Sequence, residues 1–168
     1  ALTDIVREAA EQRTEEYGIP QVMTVDELLA DPDIEIAVNL TIPAAHHEVT
    51  MAALEAGKNV YTEKPLAVTR EEGQQIIATA KENGLRIGGA PDTFLGAGLQ
   101  TCRKLLDEGW IGTPTVATAI TAMGIDVHRY HTAGVGPMFD MGPYYTTALV
   151  TLLGAVTRAT GSAQTPYP

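Results

Sequence analysis

Glu63-Lys64-Pro65 closes the short apolar run of "NVYTEKPLAV". It sets a cation and a carboxylate beside a rigid turn, where a buried strand is expected to end. Upstream, a second apolar run ends in "NLTIPAAHHEV", so two strand ends carry polar groups toward one crevice. Ligands of open α/β sheets bind in the crevice outside the carboxyl ends of the strands. Further along, Asp140 and Tyr144 sit four residues apart in the helix-like stretch "PMFDMGPYYTTALVTLLG". Positions i and i+4 of a helix share one face, so both side chains can address one substrate. These groups together point to a nucleotide-dependent enzyme.

The elements that must position them alternate. "ALTDI" is strand-like, and "VREAAEQRTEEYG" reads as a helix with Gly18 just past its end. Thr24 with Glu27, and Thr69 with Glu72, form two capping boxes that open helices. "IEIAVNLTI" is a nearly continuous apolar run, expected for a parallel strand buried on both faces. Pro43 suits the first turn of the next helix, which ends at Gly57, and "KNVYTEK" and "LRIGGAP" supply two more strands. This β-α-β-α-β order predicts an α/β fold with a doubly wound parallel sheet of Rossmann type.

The second half changes character. "AGLQTCRKLLDEGWIG" reads as a helix with Leu99, Cys102, Leu105 and Leu106 at helical spacing. "TPTVATAITAM" and "AVTRATGSAQT" are rich in threonine and β-branched residues and are expected to be strands. The boundary between the halves is placed near Ala90 to Thr93, giving domains 1–92 and 93–168.

Bulk composition narrows the function class. The formal net charge is −10 over 168 residues, which argues against wrapping nucleic acid or an anionic membrane surface. Cys102 is the single cysteine, so neither an internal disulfide nor a cysteine-based zinc site can form; no metal site is expected. No apolar stretch reaches the roughly 20 residues that span a bilayer, and the start lacks a basic-then-apolar leader. A reducing, cytoplasmic setting is expected. "ALTDIV" reads as the tail of a strand with nothing before it, so the chain is expected to enter mid-domain.

With "NLTIPAAHHEV", "YTEKPLAV" and "GPMFDMGPYY" in this order, the sequence resembles the Gfo/Idh/MocA oxidoreductases, NAD(P)-dependent dehydrogenases of sugars, cyclitols and related polyols. The resemblance implies a partial Rossmann domain followed by the start of an α+β domain with an open, mostly antiparallel sheet. It implies NAD (or NADP) as cofactor, a sugar or polyol as substrate, and a homo-oligomer, dimer or tetramer. Against the family pattern, the first Rossmann strand and its Gly-x-Gly-x-x-Gly turn are absent, as is the far end of the second domain.

The resemblance also implies residue roles. Lys64 is the expected catalytic lysine near the nicotinamide ribose and the reacting hydroxyl, where it can steady an alkoxide and lower the pKa of a neighbouring acid. Glu63 is expected to position the cofactor ribose or pair with Lys64. The peptide bond before the motif's proline, here Lys64–Pro65, is often cis in the family. Thr41, Pro43 and His46 are expected to line the nicotinamide and ribose pocket; helix capping is the other reading for Thr41, and a surface helix position for His46. Asp4 follows the second Rossmann strand, where an acid binds the adenosine ribose and favours NAD over NADP, or it caps a helix.

Two departures concern the substrate site. The family pattern Asp-x-Gly-x-His reads here Asp140-Met141-Gly142-Pro143-Tyr144, with a tyrosine in place of the usual acid/base histidine. Unperturbed tyrosine titrates near 10 and histidine near 6.5, so Tyr144 as a base requires a lowered pKa, for which Lys64 is the candidate cause. Other readings are Tyr144 as a substrate hydrogen-bonder or apolar wall, proton movement by Lys64 itself, or substitution by His128 or His131. In "PDTFLGAGLQ" the family's Asn-x-Arg-like stretch is missing, and Asp92 either faces the site or caps a helix. Two rival functions remain at this level: an NAD-dependent lyase or glycosidase that oxidises transiently, and a non-catalytic nucleotide-binding member.

Overall fold

The computed structural model describes residues 1–122 and 135–164. In chain order they form α1 (Arg7–Tyr17), α2 (Val25–Ala30), β1 (Ile36–Asn39), α3 (His46–Glu55), β2 (Asn59–Thr62), α4 (Arg70–Glu82), β3 (Ile87–Gly89), α5 (Ala97–Asp107) and α6 (Pro137–Leu153). Short 3-10 turns at Pro43–Ala45 and Asp92–Leu95 precede α3 and α5. The strands form one parallel sheet in the order β1-β2-β3, as the alternation of apolar runs and capped helices predicts.

Local signals start and stop the helices. Both capping boxes form: the Thr24 and Thr69 hydroxyls accept from the Glu27 and Glu72 amides, and each glutamate accepts from the threonine's own amide. Each such cap is worth about 0.5–2 kcal/mol. The helical turns unwind at Gly18, Gly57 and Gly84, all with left-handed φ near +70°, where a Cβ would be strained.

The core lies between the sheet and the helices α3 and α4. Leu54 and Ile76 are fully buried, with Ala53, Val60, Ala67 and Ala80 around them. Burying each large aliphatic side chain stabilises the fold by about 1.5–3 kcal/mol. Gly88 in β3 faces Tyr61 in β2. A Cβ there would stand 2.8 Å from the Tyr61 ring, so the bare backbone lets the ring lie across the edge strand.

Three sequence expectations need correction. Strand β1 is buried on one face only: Ile36 and Val38 are each 59% exposed, while Ala37 packs on the core. Successive crossovers in one direction put their helices on the same side of a sheet, which leaves Ile36 and Val38 facing outward. The strands expected in the second half are also not there. No strand follows β3 among the described residues, and Val116, Ile120 and Val156 are largely exposed. Strand propensity expresses fit to a pleated surface beside a neighbour, and among the described residues these segments have no neighbour to ladder with. "ALTDI" likewise makes only an isolated parallel bridge, Leu2 to Val22.

Candidate active site

The site begins where β1 and β2 end. Their parallel register sets Asn39 beside Thr62, and the Glu63 amide extends the ladder by donating to the Asn39 carbonyl at 2.9 Å. The Asn39 side chain is buried and fully used. Its amide nitrogen donates to the His46 carbonyl and the Thr50 hydroxyl, both at 3.1 Å. Its oxygen accepts from the Thr41 amide at 3.1 Å and the Thr41 hydroxyl at 2.7 Å.

His46, Thr50, Ala53 and Leu54 are the buried residues of α3 and follow helical spacing. The stripe is apolar toward the core and polar toward the strand ends. His46 is fully buried, with Nδ1 2.6 Å from the Pro65 carbonyl and Nε2 2.9 Å from the Thr41 carbonyl. The expected places of His46, on the pocket wall or at the helix surface, are therefore corrected: it lies behind the crevice, and carbonyl oxygens occupy both ring nitrogens. Its neighbour His47 meets Gln75 at the surface, at 2.9 Å. Pro43 is buried in the 3-10 turn and Thr41 is exposed at the mouth.

Lys64–Pro65 is a cis peptide bond. The Glu63 carboxylate curls back to accept from the Lys64 amide at 2.9 Å, whereas the Lys64 ammonium reaches α6. Its Nζ lies 2.5 Å from Asp140 Oδ1, with the two side chains only 13% and 16% exposed. The same nitrogen stands 5.6 Å from the centroid of the Tyr144 ring, within cation–π range. Helical spacing on α6 thus carries Asp140 and Tyr144 to one ammonium group.

Two clefts flank α6. One, of about 650 Å³, is lined by Lys64, Pro65, Phe94, Met138 and Phe139 among others. The other, of about 550 Å³, is lined by Asp92, Thr93, Leu99, Met141, Tyr144 and Tyr145. Asp92 therefore faces a cleft shared with Tyr144. Asp4 is exposed, with its carboxylate accepting from the Val6 amide at 2.8 Å. His128 and His131 lie outside the described residues. Among the described residues no three His, Cys, Asp or Glu side chains are grouped to hold a metal ion.

The phenol of Tyr144 is shifted in the direction opposite to the one a general base needs. Burial raises its pKa above the usual 10; Lys64 pulls it down, but Glu63, Asp92 and Asp140 push it up again. Burial is the largest of these influences, and the low-dielectric wall disfavours phenolate. Tyr144 is thus a neutral hydrogen-bond donor at neutrality. In an ultraviolet pH titration, the phenolate signal lost on Tyr144→Phe is expected to arise above pH 10 in the parent protein. A Tyr144 phenolate signal that arises near neutrality would overturn this assignment. The raised pKa favours the folded state fully below pH 10, and that contribution fades as pH climbs through the folded-state value.

Comparison with known proteins places these features. The family model for oxidoreductases with an NAD-binding Rossmann fold matches residues 1–89. A 1,5-anhydro-D-fructose reductase of Ensifer adhaerens is 36% identical over 114 residues, covering 67% of this chain and 34% of that enzyme. An inositol 2-dehydrogenase/D-chiro-inositol 3-dehydrogenase of Lacticaseibacillus casei is 32% identical over 127 residues, 71% of this chain and 35% of its own. The chain therefore spans about a third of the length of these two curated relatives. In fold it matches levoglucosan dehydrogenase, solved with NADH and levoglucosan, with TM-score 0.77 and 24% identity over 90% of this chain and 44% of that one. With its strand-end motif, its Glu-Lys-Pro turn and its parallel sheet, the chain belongs to the Gfo/Idh/MocA family of NAD-binding Rossmann oxidoreductases.

Proposed function

We propose that the full-length protein transfers a hydride between a nicotinamide cofactor and a hydroxyl-bearing carbon of a sugar, cyclitol or related polyol. The observation that carries this is the convergence of Lys64, Asp140 and Tyr144 at the mouth of the strand-end crevice. The donor and acceptor set there fits the nicotinamide-ribose end of a dinucleotide: the Thr41 hydroxyl, the Glu63 carboxylate and the Lys64 ammonium suit ribose hydroxyls and a carboxamide. The bound dinucleotide supplies the hydride acceptor or donor.

The chain's own residues manage the oxygen. Lys64 directs its ammonium at the carbon–oxygen group and stabilises negative charge as it develops. Asp140 holds that ammonium in place. Tyr144, kept protonated, donates to the same oxygen; in carbonyl reduction its proton completes the alcohol, leaving a phenolate beside Lys64. Asp92 offers an acceptor to a second substrate hydroxyl in the cleft it shares with Tyr144.

Asp4, exposed near the Leu2–Val22 bridge, would accept the adenosine ribose hydroxyls and repel a 2′-phosphate, which favours NAD over NADP. The division into domains 1–92 and 93–168, a homo-oligomeric state and a cytoplasmic setting belong to the same proposal and rest on family likeness. No helix among the described residues is long and apolar enough to cross a membrane.

The test is a fluorescence titration of the full-length protein with NADH and NADPH, followed by a screen of polyols and sugars for nicotinamide reduction. Tighter NADH binding and turnover of a cyclic polyol are expected. No binding of either nucleotide would refute the proposal.

A further inference from the structure

The most completely bonded polar cluster behind the crevice touches neither cleft, yet it ends on the backbone that carries Lys64. His46 is fully buried and spans two carbonyls 24 residues apart in sequence, Thr41 on one side and Pro65 on the other. Carbonyl oxygens only accept, so each contact asks for an N–H on the ring. A neutral imidazole supplies one, and the doubly protonated ring supplies both. Asn39, 4% exposed, closes the cluster by bonding the Thr41 turn with its oxygen and the His46 carbonyl with its nitrogen. The Asn39 carbonyl also receives the Glu63 amide. Glu63 and Pro65 are thus anchored on either side of Lys64, while the lysine side chain projects toward Asp140.

We propose that His46 is a positioning residue: by clamping the Pro65 carbonyl to the Thr41 turn, it holds the Lys64 backbone where the ammonium meets Asp140 and the reacting oxygen. The proposal rests on the hydride-transfer reading for its kinetic consequence, but the clamp itself is a matter of geometry. A buried carbonyl that loses its donor is left with its desolvation cost, so the segment shifts to find another partner. A misplacement of about 1 Å costs about a hundredfold in rate.

The experiment uses full-length His46→Leu, which keeps volume but has no donor, and His46→Gln, whose donors sit on one nitrogen and so do not reach to both sides as the two ring nitrogens do. Two readouts are taken on variants that retain the parent circular dichroism: the kcat and KM for NAD, and the ε-carbon NMR signal of Lys64 in 13C-lysine-labelled protein. In His46→Leu the Lys64 signal is expected to move toward its position in Asp140→Asn. The kcat should fall about a hundredfold with the KM for NAD nearly unchanged, and His46→Gln should lie between.

A folded His46→Leu with a parent-like Lys64 signal overturns the proposal. So does a raised KM for NAD with kcat unchanged, which would make His46 a cofactor ligand. If Leu does not fold, His46→Gln decides on the same two readouts. If the parent enzyme shows no turnover, hydride transfer is refuted, and the Lys64 signal still decides whether His46 positions the lysine.

Discussion

Lys64→Ala in the full-length protein is expected to lower turnover by about 10²–10³-fold, the usual cost of removing one donor aimed at a developing oxyanion. The fold should survive. Lys64 stands at a strand end and is not one of the apolar cluster of Leu54, Val60 and Ile76. The backbone around it is held by bonds that alanine keeps, from the Glu63 amide to Asn39 and from His46 to Pro65. A second, independent readout accompanies the rate. Among the described residues Lys64 is the one group that lowers the Tyr144 pKa, so its removal should drive the phenol still further above 10. Parent-like turnover in this variant would remove the lysine from the chemistry.

How much of this was legible in the sequence depends on the reach of each signal. Capping boxes, terminal glycines and continuous apolar runs act within a few residues, and the helices and strands they predict between Arg7 and Gly89 are present. The cis bond at Lys64–Pro65 follows from the motif. Strand propensity in the second half misleads because a strand is defined by its partner, which residues 113–122 and 155–164 lack among the described residues. His46 was picked out by family register but its place was missed: a histidine at a helix start reads as polar and exposed. Only the 19-residue reach to Pro65 shows it to be interior.

The sequence leaves the sign of the Tyr144 shift open for a related reason. One nearby lysine is readable from the motifs, but the wall that buries the ring and the acids at Glu63, Asp92 and Asp140 come together only in three dimensions. A signal that could have warned of it is the excess of acids over bases, 21 to 11. The pairing of Lys64 with Asp140, separated by 76 residues, was equally out of reach of any local pattern.

That pairing sets up the second large effect. Asp140→Asn keeps the shape of the side chain and an oxygen for Lys64, and it removes only the charge. Turnover is expected to fall by about 10²-fold, because an ammonium no longer steered by a carboxylate spends less time aimed at the substrate oxygen. Trading an ion pair for a bond from the ammonium to a neutral amide oxygen, at two side chains of 13% and 16% exposure, should cost about 1.5–3 kcal/mol of stability. The phenol supplies the decisive sign. Asp140 is one of the acids that raise the Tyr144 pKa, so Asp140→Asn should lower it, opposite to Lys64→Ala. If the three groups form one electrostatic unit, the double variant will not show the sum of the single effects on rate. Additive losses, or phenol shifts of the same sign in both variants, would mean that the ammonium, the carboxylate and the ring are neighbours without being a unit.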